Sequence, residues 1–331
     1  MMRRGLNLLL GGITLILVMV VACNSASVKK AQTEPCIKEI CFVRNSDGAK
    51  ICIFRATCVQ RDGWDTLPEI RFWRRIVSMT KDSVLVNILE TRKGIDVIPR
   101  WMYDSLDAIG QLDTLRNEMR VKHKVHDLQN IRFTGGKNHF YKFDDISLKM
   151  ARGVQLFDSL GVDPFYAQSI LLIESPGSNK QKSIAGAYGN FQLMPFVAKG
   201  YGLRVDARID ERENFDRSAY AAARLVKESC IPLARKWCEQ YGFRVDESAL
   251  WFKLLALHCY NAGPYTVKTA LSVVPTSIQG NKLIQTLWHT KVGYWSSEAQ
   301  NYSQLAIACY LEYEKAVMAN KMESKTRYDR F

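Results

Sequence analysis

Residues 162–195 read VDPFYAQSILLIESPGSNKQKSIAGAYGNFQLMP. Asp163 followed by Pro164 marks a helix start. The aspartate can accept from first-turn amides, and proline suits the first helical position, where an N–H would have no partner anyway. Pro176-Gly177 stops the run. The spacing predicts a helix over about 164–175, with Ala167, Ile170, Leu171 and Glu174 on one face at i, i+3, i+4 and i+7. Glu174 is the only carboxylate between Pro164 and Val205. Placed on an apolar stripe, its carboxyl is expected to titrate above the usual ~4.3, and holding it near ~6 costs roughly 2 kcal/mol. A neutral carboxyl near pH 7 is what a general acid needs. The blander reading is a glutamate that caps a buried amide or pairs with an arginine. The loop that follows, rich in Gly, Ser, Asn and Gln, favours the acid, because amide and hydroxyl side chains suit a hydroxyl-rich sugar.

Outward from this stretch the C-terminal half reads as helices. One runs from Asp216 through RSAYAAARLVKES, one follows Asp246 through ESALWFKLLALHC, and one begins near Ser296 through EAQNYSQLAIACYLEYEKAV. Upstream, PEIRFWRRIVSM and PRWMYDSLDAIGQL place apolar residues at three- and four-residue steps, so residues from about 65 to 150 are also read as helical, apart from a basic, irregular interval at 121–143 with TGGKNHF as a turn. There is no βαβ alternation, internal repeat or phosphate loop. His123 and His126 stand three apart without an evident third ligand, so no metal is expected.

The segment CIKEICFVRNSDGAKICIFRATC (36–58) alternates β-branched and aromatic residues on either side of NSDG, the pattern of a hairpin with a four-residue loop. If Arg44 faces Ala49, Cys41 faces Cys52. The chain has nine cysteines. Disulfides, Cys41 with Cys52 and tentatively Cys230 with Cys238, compete with free thiols. Zinc is disfavoured by the spacing.

The N-terminus, MMRRGLNLLLGGITLILVMVVACNS, has two arginines, an apolar run and then small residues before Cys23, the pattern of a secretory signal. Val20-Val21-Ala22-Cys23 resembles the bacterial lipobox, in which the cysteine is lipidated and becomes the mature N-terminus, holding the protein on a membrane surface. Removing residues 1–22 takes away two of the 46 Lys and Arg and none of the 33 Asp and Glu, leaving a formal +11. A basic exported chain suits an anionic wall or membrane partner rather than nucleic acid.

The residues now carry a resemblance. Glu174-Ser175, Ser183 nine residues on, GAYGNFQLMP and the distal YNAGP resemble the lytic murein transglycosylase family with its goose-lysozyme-like catalytic domain. YGLRVDARIDERENFDRSAYAAARL (201–225) is similar to the membrane-bound murein transglycosylase D branch. The resemblance covers about residues 145–315. It implies that Glu174 is the sole catalytic acid and base, with Ser183 near that acid and the substrate. Gln192 and Met194 would line the sugar groove, Tyr260 would approach the carboxyl, Asn261 would contact glycan, and Glu298 and Tyr302 would close the cleft. Asn190-Phe191 and His258-Cys259 depart from the usual residues at their places.

The expected architecture is mainly α: a lysozyme-like helical catalytic domain (145–320) after a signal peptide (1–22), a lipid-anchored tether (23–35), a cysteine-bearing β-hairpin (36–60) and a helical N-terminal region (61–144), with a basic tail (321–331). The expected activity is cleavage of the MurNAc-β-1,4-GlcNAc bond with formation of 1,6-anhydroMurNAc. It would need no cofactor and would act in the periplasm from a lipid anchor, on the outer membrane. A lysozyme-type hydrolase and a non-catalytic glycan-binding lipoprotein are the competing readings. A hydrolase needs a second carboxylate, ~5 Å away for retention or ~6.5–9.5 Å for inversion, and Asp206, Asp210 and Glu211 are the nearest in sequence beyond the loop.

Overall fold

A computed structural model describes residues 37–43, 50–143, 147–177 and 182–328. The signal peptide, Cys23 and the tether to residue 35 lie outside the described residues. Among the described residues no helix is long and apolar enough to cross a membrane.

Strands β1 (Ile37–Val43) and β2 (Lys50–Ala56) form an antiparallel hairpin in which Cys41 is the Cα partner of Cys52, the register expected for a four-residue connection. Helices α1 (Cys58–Arg61) and α2 (Pro68–Ser78) follow, then β3 (Ser83–Ile88), β4 (Gly94–Pro99), α3 (Arg100–Ala108), α4 (Leu112–His123) and β5 (Ile131–Gly135). The remainder is helical: α5 (Ser147–Ser159), α6 (Pro164–Glu174), α7 (Pro195–Gly200), α8 (Phe215–Leu225), α9 (Ile231–Gln240), α10 (Leu250–Ala262), α11 (Pro264–Leu271), α12 (Asn281–Leu287) and α13 (Ser297–Tyr328). The fold is mainly α and lysozyme-like.

The helical reading of 65–150 is corrected by an antiparallel sheet of order β4-β3-β5, whose strand β5 falls in the interval read as irregular. The physical reason is that β3 (SVLVNI) is central and buried on both faces. Leu85 joins the main helical core with Ile70, Trp73 and Ile76 of α2, whereas Val84, Val86 and Ile88 face a second core with Leu115 and Met119 of α4. Burial on both sides turns the period of two into a continuous apolar run, which periodicity alone cannot separate from a helix.

Nor does packing break at the expected boundary near residue 144. Trp64 and α2 lie in the same core as α6, α10 and α13, and α2 packs along α13. Trp73 Nε1 donates to Gln304 Oε1 at 3.1 Å, and Arg74 Nε to Glu312 Oε1 at 2.6 Å. The expected tail from residue 321 continues α13 as far as Tyr328.

Two helices form the centre. Every residue from Phe165 to Ile173 of α6 and from Leu250 to Cys259 of α10 is buried. The one-sided stripe expected for α6 is therefore too narrow, because the helix is covered all round. Its start is as expected: Asp163 accepts from Phe165 N at 2.9 Å, with Pro164 in the first turn. Asp163 also pairs with Lys253, a buried lysine of α10, which ties the two central helices together.

The tentative Cys230–Cys238 disulfide is overturned. Both are buried free thiols, as are Cys259 and Cys309. Cys230 ends the π-helical turn Val226–Cys230 that joins α8 to α9, and Cys238 lies eight residues further along α9. Eight helical residues rise ~12 Å, about twice the Cα separation a disulfide spans. The π turn itself precedes Pro232, which has no N–H to give to a carbonyl in the preceding turn. Cys58 is disulfide-bonded. The side chains of Cys41 and Cys52 lie outside the described residues.

Candidate active site

Glu174 is the last residue of α6, followed by a chain in non-helical geometry at Ser175. Its carboxyl is partly buried between α6, α10 and α13. Burial lifts its pKa from an ordinary 4.5 to about 7, against a smaller lowering by a hydrogen bond from Tyr302. Tyr302 OH donates to Glu174 Oε1 at 2.7 Å. Near pH 7 the carboxyl is thus close to half protonated, able to give a proton and to take one back.

Tyr260, at the end of α10, was expected to approach the carboxyl, and it lies within electrostatic range of Glu174. Its hydroxyl donates to the Phe191 carbonyl at 2.6 Å. Tyr302, expected as a cleft-closing residue, makes the direct bond. A third phenol, Tyr141, from the segment after β5, is also buried within electrostatic range of Glu174. The sequence reading missed it, and nothing near it in the chain marks it.

The loop after α6 is held from three sides. Ser175 Oγ donates to the Asn190 carbonyl at 3.0 Å, and Asn190 Nδ2 lies 3.2 Å from Ser175 Oγ, both residues being buried. Phe191 is fully buried, stacked on Phe157 with ring centres 5.8 Å apart and tilted against Phe215 at 5.5 Å. The departure at Asn190-Phe191 therefore fills the core under the loop. Gly189 has φ of +80°, and a Cβ there would lie 2.0 Å from the Arg212 carbonyl, so only glycine fits.

Arg212, also missed, is the third support. It is 3 % exposed, grips Asp210 with two hydrogen bonds of 2.8 and 2.6 Å, and donates through Nη1 to the carbonyls of Gly186 and Leu193, both at 2.8 Å. The DER segment quoted for the family resemblance was its signal in the sequence.

The remaining expected residues are distributed around this loop. Ser183 Oγ accepts from Ala187 N at 2.9 Å, closing a turn. Gln192 has a left-handed φ of 45°, and its Nε2 donates to the Gly189 carbonyl at 2.8 Å. Strained backbone of this kind clusters at ligand-binding sites. Met194 precedes α7 and is partly buried, Asn261 is exposed at the end of α10, and Glu298 is exposed in the first turn of α13. Among the described residues only Tyr302 hydrogen-bonds Glu174.

The acids weighed as second carboxylates are engaged elsewhere. Asp206 bonds Arg204 at 2.5 Å and accepts from the amides of Arg208 and Ile209, which hold its pKa down at about 2. Asp210 is taken by Arg212, and Glu211 accepts from Arg204 N at 2.6 Å and Arg217 at 2.9 Å. His258, buried in α10 against Trp295, has its pKa lowered to about 3 by burial and is a neutral core imidazole. Among the described residues no cluster of His, Cys, Asp and Glu could hold a metal ion. His123 instead lies 2.9 Å from Asp96.

A mainly α, lysozyme-like fold with one half-neutral carboxyl at the end of a central helix defines the class. Residues 157–279 match the family described as the transglycosylase SLT domain. The match contains Glu174, Ser183, Gln192, Met194, Tyr260 and Asn261, and ends before Glu298 and Tyr302. The chain matches no curated protein.

Proposed function

We propose that this chain is a peptidoglycan lytic transglycosylase that cleaves the β-1,4 bond between MurNAc and GlcNAc and leaves a 1,6-anhydroMurNAc end. The match of residues 157–279 supports action on peptidoglycan in the cell envelope. The observation that carries the finer reading is the isolation of Glu174: a carboxyl titrating near 7, while Asp206, Asp210 and Glu211 are consumed in ion pairs. In its neutral form Glu174 protonates the glycosidic oxygen as the bond to the muramyl C1 breaks. The resulting carboxylate then takes the proton of the muramyl C6 hydroxyl, whose oxygen bonds C1. The same residue serves both proton steps, and the nucleophile is already within the substrate, so attack is intramolecular and favoured over bulk water. Ser183, Gln192, Met194, Asn261 and Glu298 are proposed to contact glycan.

The rest of the reading places lipid on Cys23 at the outer membrane and a disulfide between Cys41 and Cys52. Peptide mass mapping without reductant would find that pair linked, and free thiols at both would refute it. The function is tested by digesting purified peptidoglycan and analysing the fragments. Anhydromuramyl products without new reducing ends are expected. Reducing muramyl ends would identify a hydrolase, and binding without cleavage a glycan-binding protein.

A further inference from the structure

The loop that joins β3 to β4 carries Arg92, whose backbone φ of 54° is left-handed. A long side chain in that conformation is sterically disfavoured, so something outside the loop must hold it there. Its guanidinium lies 5.0 Å over the ring of Phe72 on α2. Its Nη2 donates to Asn301 Oδ1 on α13 at 3.0 Å. Among the described residues it has no carboxylate within ion-pair distance. The nearest acid it feels, Glu69, lies 3.1 Å from His289.

Asn301 immediately precedes Tyr302, and the whole turn is gripped from outside the helix. Gln300 Nε2 donates to the Thr290 carbonyl, Trp288 Nε1 to Ser303 Oγ at 2.8 Å, and Trp73 Nε1 to Gln304 Oε1 at 3.1 Å. Residues 300, 301, 303 and 304 therefore bind the surrounding fold through their side chains, while residue 302 between them reaches Glu174. The contact at 301 is the only one of the four supplied by a charged side chain, and the only one that comes from the sheet. A hydroxyl delivered at 2.7 Å to a carboxyl needs its helix fixed to a fraction of an ångström, because hydrogen bonds weaken steeply with distance and angle.

We infer that Arg92 is a positioning residue for Glu174: by holding Asn301 it keeps the Tyr302 hydroxyl at bonding distance from the carboxyl, and so makes the β3–β4 loop part of the active-site machinery. The activity arm of the test rests on the proposed function, whereas the titration arm does not. The groups that face Glu174 are Tyr302 from α13, Tyr260 from α10 and Tyr141 from the segment after β5. Those that face Arg92 are Glu69 from α2 and, beyond it, His289. The Tyr302 bond stabilises the carboxylate more than the acid, so loosening it moves the Glu174 titration upward.

The experiment follows Glu174 by carboxyl NMR in protein carrying labelled glutamate, assigned with Glu174→Gln. It compares the unaltered chain with Arg92→Ala, Tyr302→Phe and the double variant, alongside thermal melts and kcat and KM on purified peptidoglycan. Arg92→Ala is expected to raise the midpoint by about half a pH unit and to lower kcat roughly three- to tenfold, with KM within about twofold. In the Tyr302→Phe background it is expected to add nothing to either quantity. A midpoint unchanged in folded Arg92→Ala, or a shift that adds fully to that of Tyr302→Phe, would overturn the inference. If Arg92→Ala does not fold, Asn301→Ala removes the acceptor alone and must produce the same shift. A chain that shows the coupled titration but cleaves no peptidoglycan would sink the proposed function and leave the positioning role standing.

Discussion

The segment that matches the transglycosylase family and the segments that flank it contribute different things to one carboxyl. Within 157–279 lie Glu174, the loop that follows it and the supports of that loop, Ser175, Asn190, Phe191, Arg212 and Tyr260. Outside it lie Tyr302, which bonds the carboxyl, Tyr141, buried within its electrostatic range, and Arg92, which bonds Asn301 next to Tyr302. The matched segment supplies the acid and the braced loop beside it. The flanks add the hydroxyl that partly offsets the effect of burial on that acid. Chemistry and its tuning have thus been divided between parts of the chain that family comparison treats differently.

The sharpest way to break that division is at the acid itself. Glu174→Gln keeps the shape and removes the transferable proton. Muropeptide release should fall by more than the roughly 10²–10⁴-fold that one general acid step is worth, because both proton steps are lost. Activity above about a tenth of normal would remove Glu174 from the mechanism.

Arg212→Ala tests the loop without touching the acid. Two backbone carbonyls lose their donor and Asp210 loses its cation, a change expected to cost about 3 kcal/mol and most of the activity. Glu174 should still titrate near 7 in the folded variant. Chemical denaturation and carboxyl NMR on the same sample would check both, and a Glu174 midpoint that fell to an ordinary value would show that the loop tunes the acid after all.

A third prediction concerns pH. The carboxyl titrates near 4.5 in the unfolded chain and near 7 in the folded one. The folded state therefore prefers the proton. Its advantage is complete below pH 4.5 and is lost as pH rises through 7. Above pH 8 the folded protein carries a penalty of at most about 3 kcal/mol, at 1.36 per unit. Glu174→Gln, which has no proton to lose, should melt higher than the parent at pH 8 and at the same temperature at pH 4. Equal melting at both would show that the carboxyl is not desolvated. The same ionisation should place the alkaline limb of the pH–rate profile near 7.

The smallest effect is expected at Tyr260→Phe. One hydrogen bond to the Phe191 carbonyl is lost, worth about 1 kcal/mol, so the melting temperature should drop by a few degrees with a modest loss of rate. An effect on the Glu174 titration as large as that of Tyr302→Phe would reverse the assignment of the two phenols.

What could be read from the sequence was local. Asp163, Pro164, Glu174 and the Gly-rich loop lie within one helix and its turn, so side-chain chemistry and spacing reveal them. The strand β3 was hidden because its two buried faces erase the alternation that marks a strand. Tyr302 could be recognised, but its bond to a carboxyl 128 residues away could not, since no local pattern encodes such a pairing. Arg212 was unseen as a support because its partners are backbone carbonyls, which every residue carries. Cys230 and Cys238 misled because their pairing ignored that both lie on one continuous helical rod.

The pairing of α2 with α13 has a consequence for timing. Trp73 and Gln304 meet across 231 residues, and Arg74 and Glu312 across 238. Contacts that distant in sequence form late, because a long stretch of chain must be ordered before they can close. The Glu174–Tyr302 bond spans 128 residues and belongs to the same late set. A chain being synthesised therefore carries its acid long before it carries the partner that tempers it. A molecule truncated before α13 would keep every motif of the matched segment and lack the hydroxyl altogether. Completion of the fold is in this sense what sets the final proton affinity of the acid.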